Sequence, residues 1–269
     1  DEGAGELTSR DFQAQLENNS ISLRFSADMD TFSGTLRMLN DKRDLAVNLV
    51  RLALTAPRFD PDPVARIRRQ MLSEVRRRSE RPANVAGSMW DRTVFPDHPY
   101  GRESDGTEAS ITAITAADLR AFVARRFARD NLIIGAVGDM TPDAFGQLID
   151  RIFADLPATA TAGKVPETEA KGAGKVLVTE RNIPQSIMIF GEKGLKRDDP
   201  DYYAATVMTY ILGGGGLTSR LADEVREKRG LAYSISVSLV TYDHAGLIAG
   251  QVQTQNARAS ETLALVREE

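Results

Sequence analysis

The chain has 269 residues, 42% hydrophobic and 27% charged, a balance that fits an ordinary globular polypeptide long enough for two domains and implies no tail or membrane span. Its net charge of −4 argues against broad binding to nucleic acid or anionic membrane, which needs a surplus of Lys and Arg. Cysteine is absent, which excludes disulfides, thiolate nucleophiles and Cys-based metal sites, and fits an oxidising compartment.

The opening DEGAGELTSR is neither a signal peptide nor an initiator Met, so the chain is expected to begin inside a longer product. A short helix is expected over about 8–18, followed by the alternating apolar positions Ile21, Leu23 and Phe25 and a turn at DMDTFSG. A second strand through Leu36 and Met38 and a helix from about 42 to 56 complete this group. After FDPDP comes a helix with Val64, Ile67, Met71 and Val75 on one face, and the RRR at 76–78 reads as its solvated side. PANVAGSMWDRTVF gives another helix, and TAADLRAFVARRFA one more, with Thr115 as its N-cap. NLIIGAVG is expected to be a buried strand, and TPDAFGQLIDRIFADL a closing helix. PATATAGKVPETEAKGAGK, residues 157–175, has no apolar period and reads as an interdomain linker. Beyond it, YYAATVMTYIL and 217–228 read as helices, Ile235, Val237 and Leu239 as a strand, YDHAG as a turn, and the run to Val252 as a second strand before a helix near 257.

Compared with itself, the chain repeats. LTSR stands at 7–10 and 217–220, SIS at 20–22 and 234–236, and NLVR at 48–51 against ALVR at 264–267, with offsets of 210, 214 and 216. Ordered matches with a slow drift point to a duplicated domain: residues 1–157, a linker at 158–174, and residues 175–269. The front of the first copy and the back of the second are expected to be missing. Strand–turn–strand units followed by helices, twice over, argue for two α+β domains, each an antiparallel sheet with helices packed on one face.

GGGGLTSRLADEVREKRGLAY, residues 213–233, looks at first like a phosphate loop. A Walker loop needs Lys and then Ser or Thr after its last Gly, and Gly216 is followed by Leu217, Thr218 and Ser219. The dinucleotide pattern fails as well, because a helix and not a strand precedes the glycines.

HPYGRESDGTEASITAITAADLRAFVARRFARDNLIIGAVGDM, residues 98–140, and GGGGLTSRLADEVREKRGLAYSISV, residues 213–237, together resemble the insulinase-like, or M16, metallopeptidase family. The resemblance implies half of a clamshell built from two homologous α+β domains. In that family a His-x-x-Glu-His helix and a downstream Glu hold zinc, the Glu between the histidines serving as general base for the metal-bound water. This chain has two histidines, His98 and His244, far apart and without partners at helical spacing, and both read as turn residues. Glu74 falls where the resemblance places the downstream ligand, and otherwise reads as an exposed helical carboxylate.

DEGAG is similar to the family's zinc-less partner chains, so the resemblance implies a non-metal-binding subunit with no cofactor of its own and zinc on a homologous partner bearing His-x-x-Glu-His. Arg226 and Tyr233 match the family's seven-apart Arg/Tyr pair, implied to bind substrate and stabilise charge on the tetrahedral intermediate of peptide cleavage. Gly213, Gly214, Gly215 and Gly216 match its glycine loop, implied to be flexible and to face a peptide substrate. The resemblance also implies a periplasmic location, with no nucleic-acid or membrane partner. Two alternatives stay open: a self-sufficient peptidase whose motif lies upstream of residue 1, and a non-catalytic peptide-binding or scaffold subunit.

Overall fold

The computed structural model describes residues 2–269. In chain order the elements are α1 (Ser9–Asn18), β1 (Ser22–Ala27), β2 (Phe32–Arg37), α2 (Arg43–Thr55), α3 (Pro61–Glu80), α4 (Pro82–Val94), α5 (Glu108–Ala113), α6 (Ala116–Arg126), α7 (Pro142–Phe153), β3 (Gln185–Lys193), α8 (Tyr202–Thr209), β4 (Ala232–Thr241), β5 (Gly246–Gln255) and α9 (Ala259–Glu268). The molecule is α+β with antiparallel sheets, as expected. The order helix, hairpin, 3₁₀ turn, helix occurs at α1–α2 and again around β4–α9, the two turns being Asn40–Lys42 and Asn256–Arg258.

Two compact units divide the chain: the part up to Glu74 with Thr107–Lys164, and Val75–Gly106 with Val165–Glu269. The division falls inside α3, and the units are interleaved in sequence. Residues 75–106 and most of the segment read as linker belong to the second unit.

In the first unit Thr8 caps α1 by accepting the Asp11 N–H, and Phe12 and Leu16, four apart, turn to one side. They bury against Ile21 and Leu23 before and within β1, against Val47, Leu49, Val50 and Leu54 of α2, and against Leu148 and Ile152 of α7. Residues at i, i+3 and i+4 on each helix supply this core, which is why the amphipathic period located the helices well. Thr115 caps α6 as expected, in a reciprocal capping box with Asp118. The face of α3 is less buried than its pattern suggests: none of its residues is fully buried and Met71 is exposed.

One expected strand is absent. Residues 132–137 of NLIIGAVG form no ladder, and Ile133 and Val137 are fully exposed. A β-strand exists only through pairing, and no partner among the described residues offers these amides a ladder. Conversely β3, not foreseen from the sequence, pairs along its whole length with β5.

The second unit holds a three-stranded antiparallel sheet in the order β3–β5–β4. Ile235 and Val237 of β4 and Val252 of β5 point to a core shared with Leu221, Val225, Leu231 and Leu265. Thr254 and Thr262 are both buried; the Thr262 hydroxyl donates to that of Thr254 at 3.1 Å, which in turn donates to the Leu231 carbonyl at 2.6 Å. That bond pins the chain at the entry to β4.

Candidate functional site: an arginine stacked on an exposed tyrosine

The motif at 213–233 does not fold as loop plus α-helix. Tyr210–Gly214 is a π-helical turn continuing α8, Gly216–Thr218 is a 3₁₀ turn, and Ala222–Glu227 is π-helical in place of the expected α-helix over 217–228. Backbone bonds five residues apart mark both π segments, Gly215 N–H to the Tyr210 carbonyl at 2.8 Å and Lys228 N–H to the Asp223 carbonyl at 2.9 Å. Leu221 and Val225 still reach the core, so the wider turn redirects the chain beyond them. Ser219 closes the 3₁₀ turn onto the Gly216 carbonyl at 2.8 Å.

The four glycines have different reasons to be glycine. Gly213 is buried, and a Cβ there would stand 2.6 Å from the Val237 nitrogen, so close packing on β4 requires it. Gly216 has φ +64°, the left-handed region. Gly215 is half-buried under Tyr210, and Gly214 is exposed. Beside them lies an open depression of about 410 Å³ lined by Tyr210, Ile211, Leu217, Ser219 and Arg220 among others. The exposed apolar residues Tyr203, Val207, Tyr210 and Ile211 were not singled out from the sequence, although YYAATVMTYIL is apolar all round and so leaves one side uncovered when only the other packs.

Gly230, at φ +59°, ends the π segment by giving its N–H to the Arg226 carbonyl at 2.9 Å. β4 then starts with a bulge between Ala232 and Ile235. A bulge places consecutive residues on the same side, and Tyr233 and Ser234 are both exposed, Tyr233 at 80%. The Arg226 guanidinium carbon lies 5.2 Å from the centroid of the Tyr233 ring, so the structure brings the two sequence-selected residues together. Glu227 pairs with Arg226 at 3.4 Å. Lys228 and Arg229 both grip Glu224, whose carboxyl is held down to about 2 by the Lys228 and then the Arg229 hydrogen bond. The charged run is therefore a set of braces that leaves Arg226 leaning on Tyr233.

A zinc site does not fit the residues present. His98 is buried; its Nε2 donates to the Pro166 carbonyl at 2.9 Å and its Nδ1 accepts the Tyr100 N–H at 3.3 Å, so both ring nitrogens are used. His244 Nδ1 meets Glu167 at 2.9 Å. Glu74 is half-buried on α3, and among the described residues no three His, Asp or Glu side chains converge as a metal site would need.

Residues 113–269 match the family described as the peptidase M16 inactive domain, and the chain belongs to the M16 family. An uncharacterized zinc protease of Mycobacterium leprae is 28% identical over 100% of this chain and 64% of its own length. A non-peptidase homolog of Helicobacter pylori is 28% identical over 99% of this chain and 61% of its own. The crystal structure of a peptidase M16 inactive domain from Pseudomonas fluorescens superposes with a TM-score of 0.89 at 30% identity, covering 99% of this chain and 65% of that one. The chain thus spans a little under two thirds of the length of each of these three proteins. No helix among the described residues is long and apolar enough to cross a membrane.

Proposed function

We propose that this chain is the metal-free subunit of a heteromeric M16 peptidase, supplying Arg226 and Tyr233 to a peptide bound at the zinc site of a homologous His-x-x-Glu-His subunit. The observation that carries the reading is the stacked pair itself: a half-buried guanidinium on the π-helical segment and an exposed phenol at the start of the edge strand β4, each able to donate to a carbonyl oxygen. Their task in this reading is to hold the scissile peptide and to meet the charge that builds on its oxygen. The depression beside the glycine turn, walled by Tyr210, Ile211 and Leu217 on one hand and Ser219, Arg220 and Asp223 on the other, suits a peptide side chain. The duplicated-domain organisation, with copies at 1–157 and 175–269, and a periplasmic location belong to the same proposal; the ordered repeats and the absence of cysteine support them.

A competing reading, a zinc peptidase whose motif stands elsewhere in a longer polypeptide, draws support from the name of the Mycobacterium leprae relative. A scaffold role draws on the non-peptidase homolog of Helicobacter pylori. Metal analysis and cleavage of a fluorogenic peptide separate the three. The chain alone is expected to hold no stoichiometric zinc and cleave nothing, and the mixture with a His-x-x-Glu-His subunit to cleave faster than that subunit alone. Tightly held zinc in the complete product of this reading frame would overturn the proposal, and a mixture no faster than the partner alone would leave the scaffold reading.

A further inference from the structure

The segment between Val165 and Gly172 is tied down residue by residue within the second unit. Pro166 takes the His98 Nε2–H at 2.9 Å, and Glu167 bridges His244 and Lys196, each at 2.9 Å. Thr168 N–H reaches the His244 carbonyl at 3.0 Å, and Glu169 pairs with Lys193 at 2.7 Å. Lys171 N–H reaches the Val94 carbonyl at 2.9 Å, and its ammonium lies 3.7 Å from Asp97. Gly172, at φ +80°, sits where a Cβ would come within 2.9 Å of the Thr93 methyl.

These anchors lie on two groups of residues distant in sequence. Val94, Asp97 and His98 end α4 and follow it, whereas Lys193, Lys196 and His244 belong to the end of β3, the loop after it and the β4–β5 turn. Tyr100 joins the groups from beneath. Its hydroxyl accepts the His244 N–H at 3.1 Å, and its ring lies 4.6 Å from Tyr242 and 4.4 Å from His98.

We propose that Val165–Gly172 is a clasp that fastens α4 to the sheet of the second unit, with the chain's two histidines as its locks. His98 makes one bond to the clasp and His244 two, through its ring and its carbonyl, and each makes one to the body beneath it, at Tyr100. This assigns His98 and His244 a use that metal binding would preclude. Residues 75–106 belong to a unit whose other residues begin 59 positions later, at Val165, and the clasp adds to the direct contacts of Phe95 and Tyr100 with Tyr242.

Trp90, the single tryptophan, stands on α4 and reports on its release. Hydrogen–deuterium exchange, the rate of tryptic cleavage after Lys171 and Trp90 emission are measured on the whole chain for the wild type, His98→Asn and Glu167→Gln. Asparagine keeps an acceptor near the Tyr100 N–H but cannot reach Pro166; glutamine keeps the shape of Glu167 but removes its charge. In the wild type the Thr168 and Lys171 amides are expected to be protected, and cleavage after Lys164 to precede cleavage after Lys171. In either variant exchange over 166–172 and at 242–245 is expected to rise together by about tenfold or more, with Trp90 emission moving to the red and the far-ultraviolet spectrum retained. Wild-type protection no better than that of an open chain, or folded variants with unchanged exchange, would overturn the clasp; should His98→Asn fail to fold, Glu167→Gln decides alone.

Discussion

Tyr233 owes its exposure to the bulge at the start of β4, and its neighbour owes its position to Gly230 and the π segment before it. The stacking of Arg226 on the ring contributes about 0.5–1 kcal/mol at an exposed site, enough to favour one orientation without fixing it. Spacing alone could match the pair to a family motif; the bulge and the stacking had no signature in the residue string. Glu227, the next residue along, is a partner of Arg226 and shares in holding its guanidinium. Elsewhere in the same unit, Asp91 on α4 has its carboxyl pushed up to about 6, by burial first and by the nearby Glu103 second. A carboxyl with a raised folded pKa stabilises the fold fully below the unfolded value near 4 and loses that contribution as pH rises through 6. Asp91→Asn is therefore expected to raise the melting temperature by a few degrees at pH 7.5, since the group is part-exposed and screened, and to have no effect at pH 4. Thermal melts across that range check it; an Asn variant less stable at pH 7.5 would contradict the assigned cause.

At the scale of elements, helices were legible and sheets only partly so. The caps of Thr8, Thr115 and Thr141 and the i, i+4 burial of Phe12 and Leu16 are local, and local signals survive in sequence. NLIIGAVG carried every local mark of a strand and still forms none, because pairing is not local; QSIMIFGEK carries a continuous apolar run and does pair, in β3. The π segments around the glycines were invisible for a different reason, since an i to i+5 bond is chosen by packing and not by propensity. Gly213 is the test of that packing. Gly213→Val must displace the β4 backbone at Val237, and is expected to destabilise the chain by about 1–3 kcal/mol, whereas Gly214→Ala, at an exposed position, is expected to change little. Urea unfolding of the two variants makes the comparison; equal midpoints would mean that β4 does not depend on the turn.

For the whole molecule, compactness and sequence order part company. Residues 75–106 fold with a unit otherwise begun at Val165, and no periodicity could announce that, because an apolar stripe names a face and not its partner. The order helix, hairpin, 3₁₀ turn and helix recurs, and with the ordered sequence repeats it supports the proposed duplication. Family membership follows from the match over residues 113–269, while the proposed division of labour rests on two side chains.

Turnover of a fluorogenic peptide by the complex with a His-x-x-Glu-His subunit tests that division most directly, read for Arg226→Ala and Tyr233→Phe against Arg267→Ala, an exposed arginine of α9. Tyr233→Phe keeps the ring that Arg226 stacks on and removes only the phenol donor, so stacking and donation are separated. With complex formation and zinc content unchanged, each of the first two is expected to lower kcat/KM by roughly ten- to a thousandfold, the loss of one preorganised donor, and the third to leave it alone. Full turnover in both Arg226→Ala and Tyr233→Phe would contradict the proposed role of the pair.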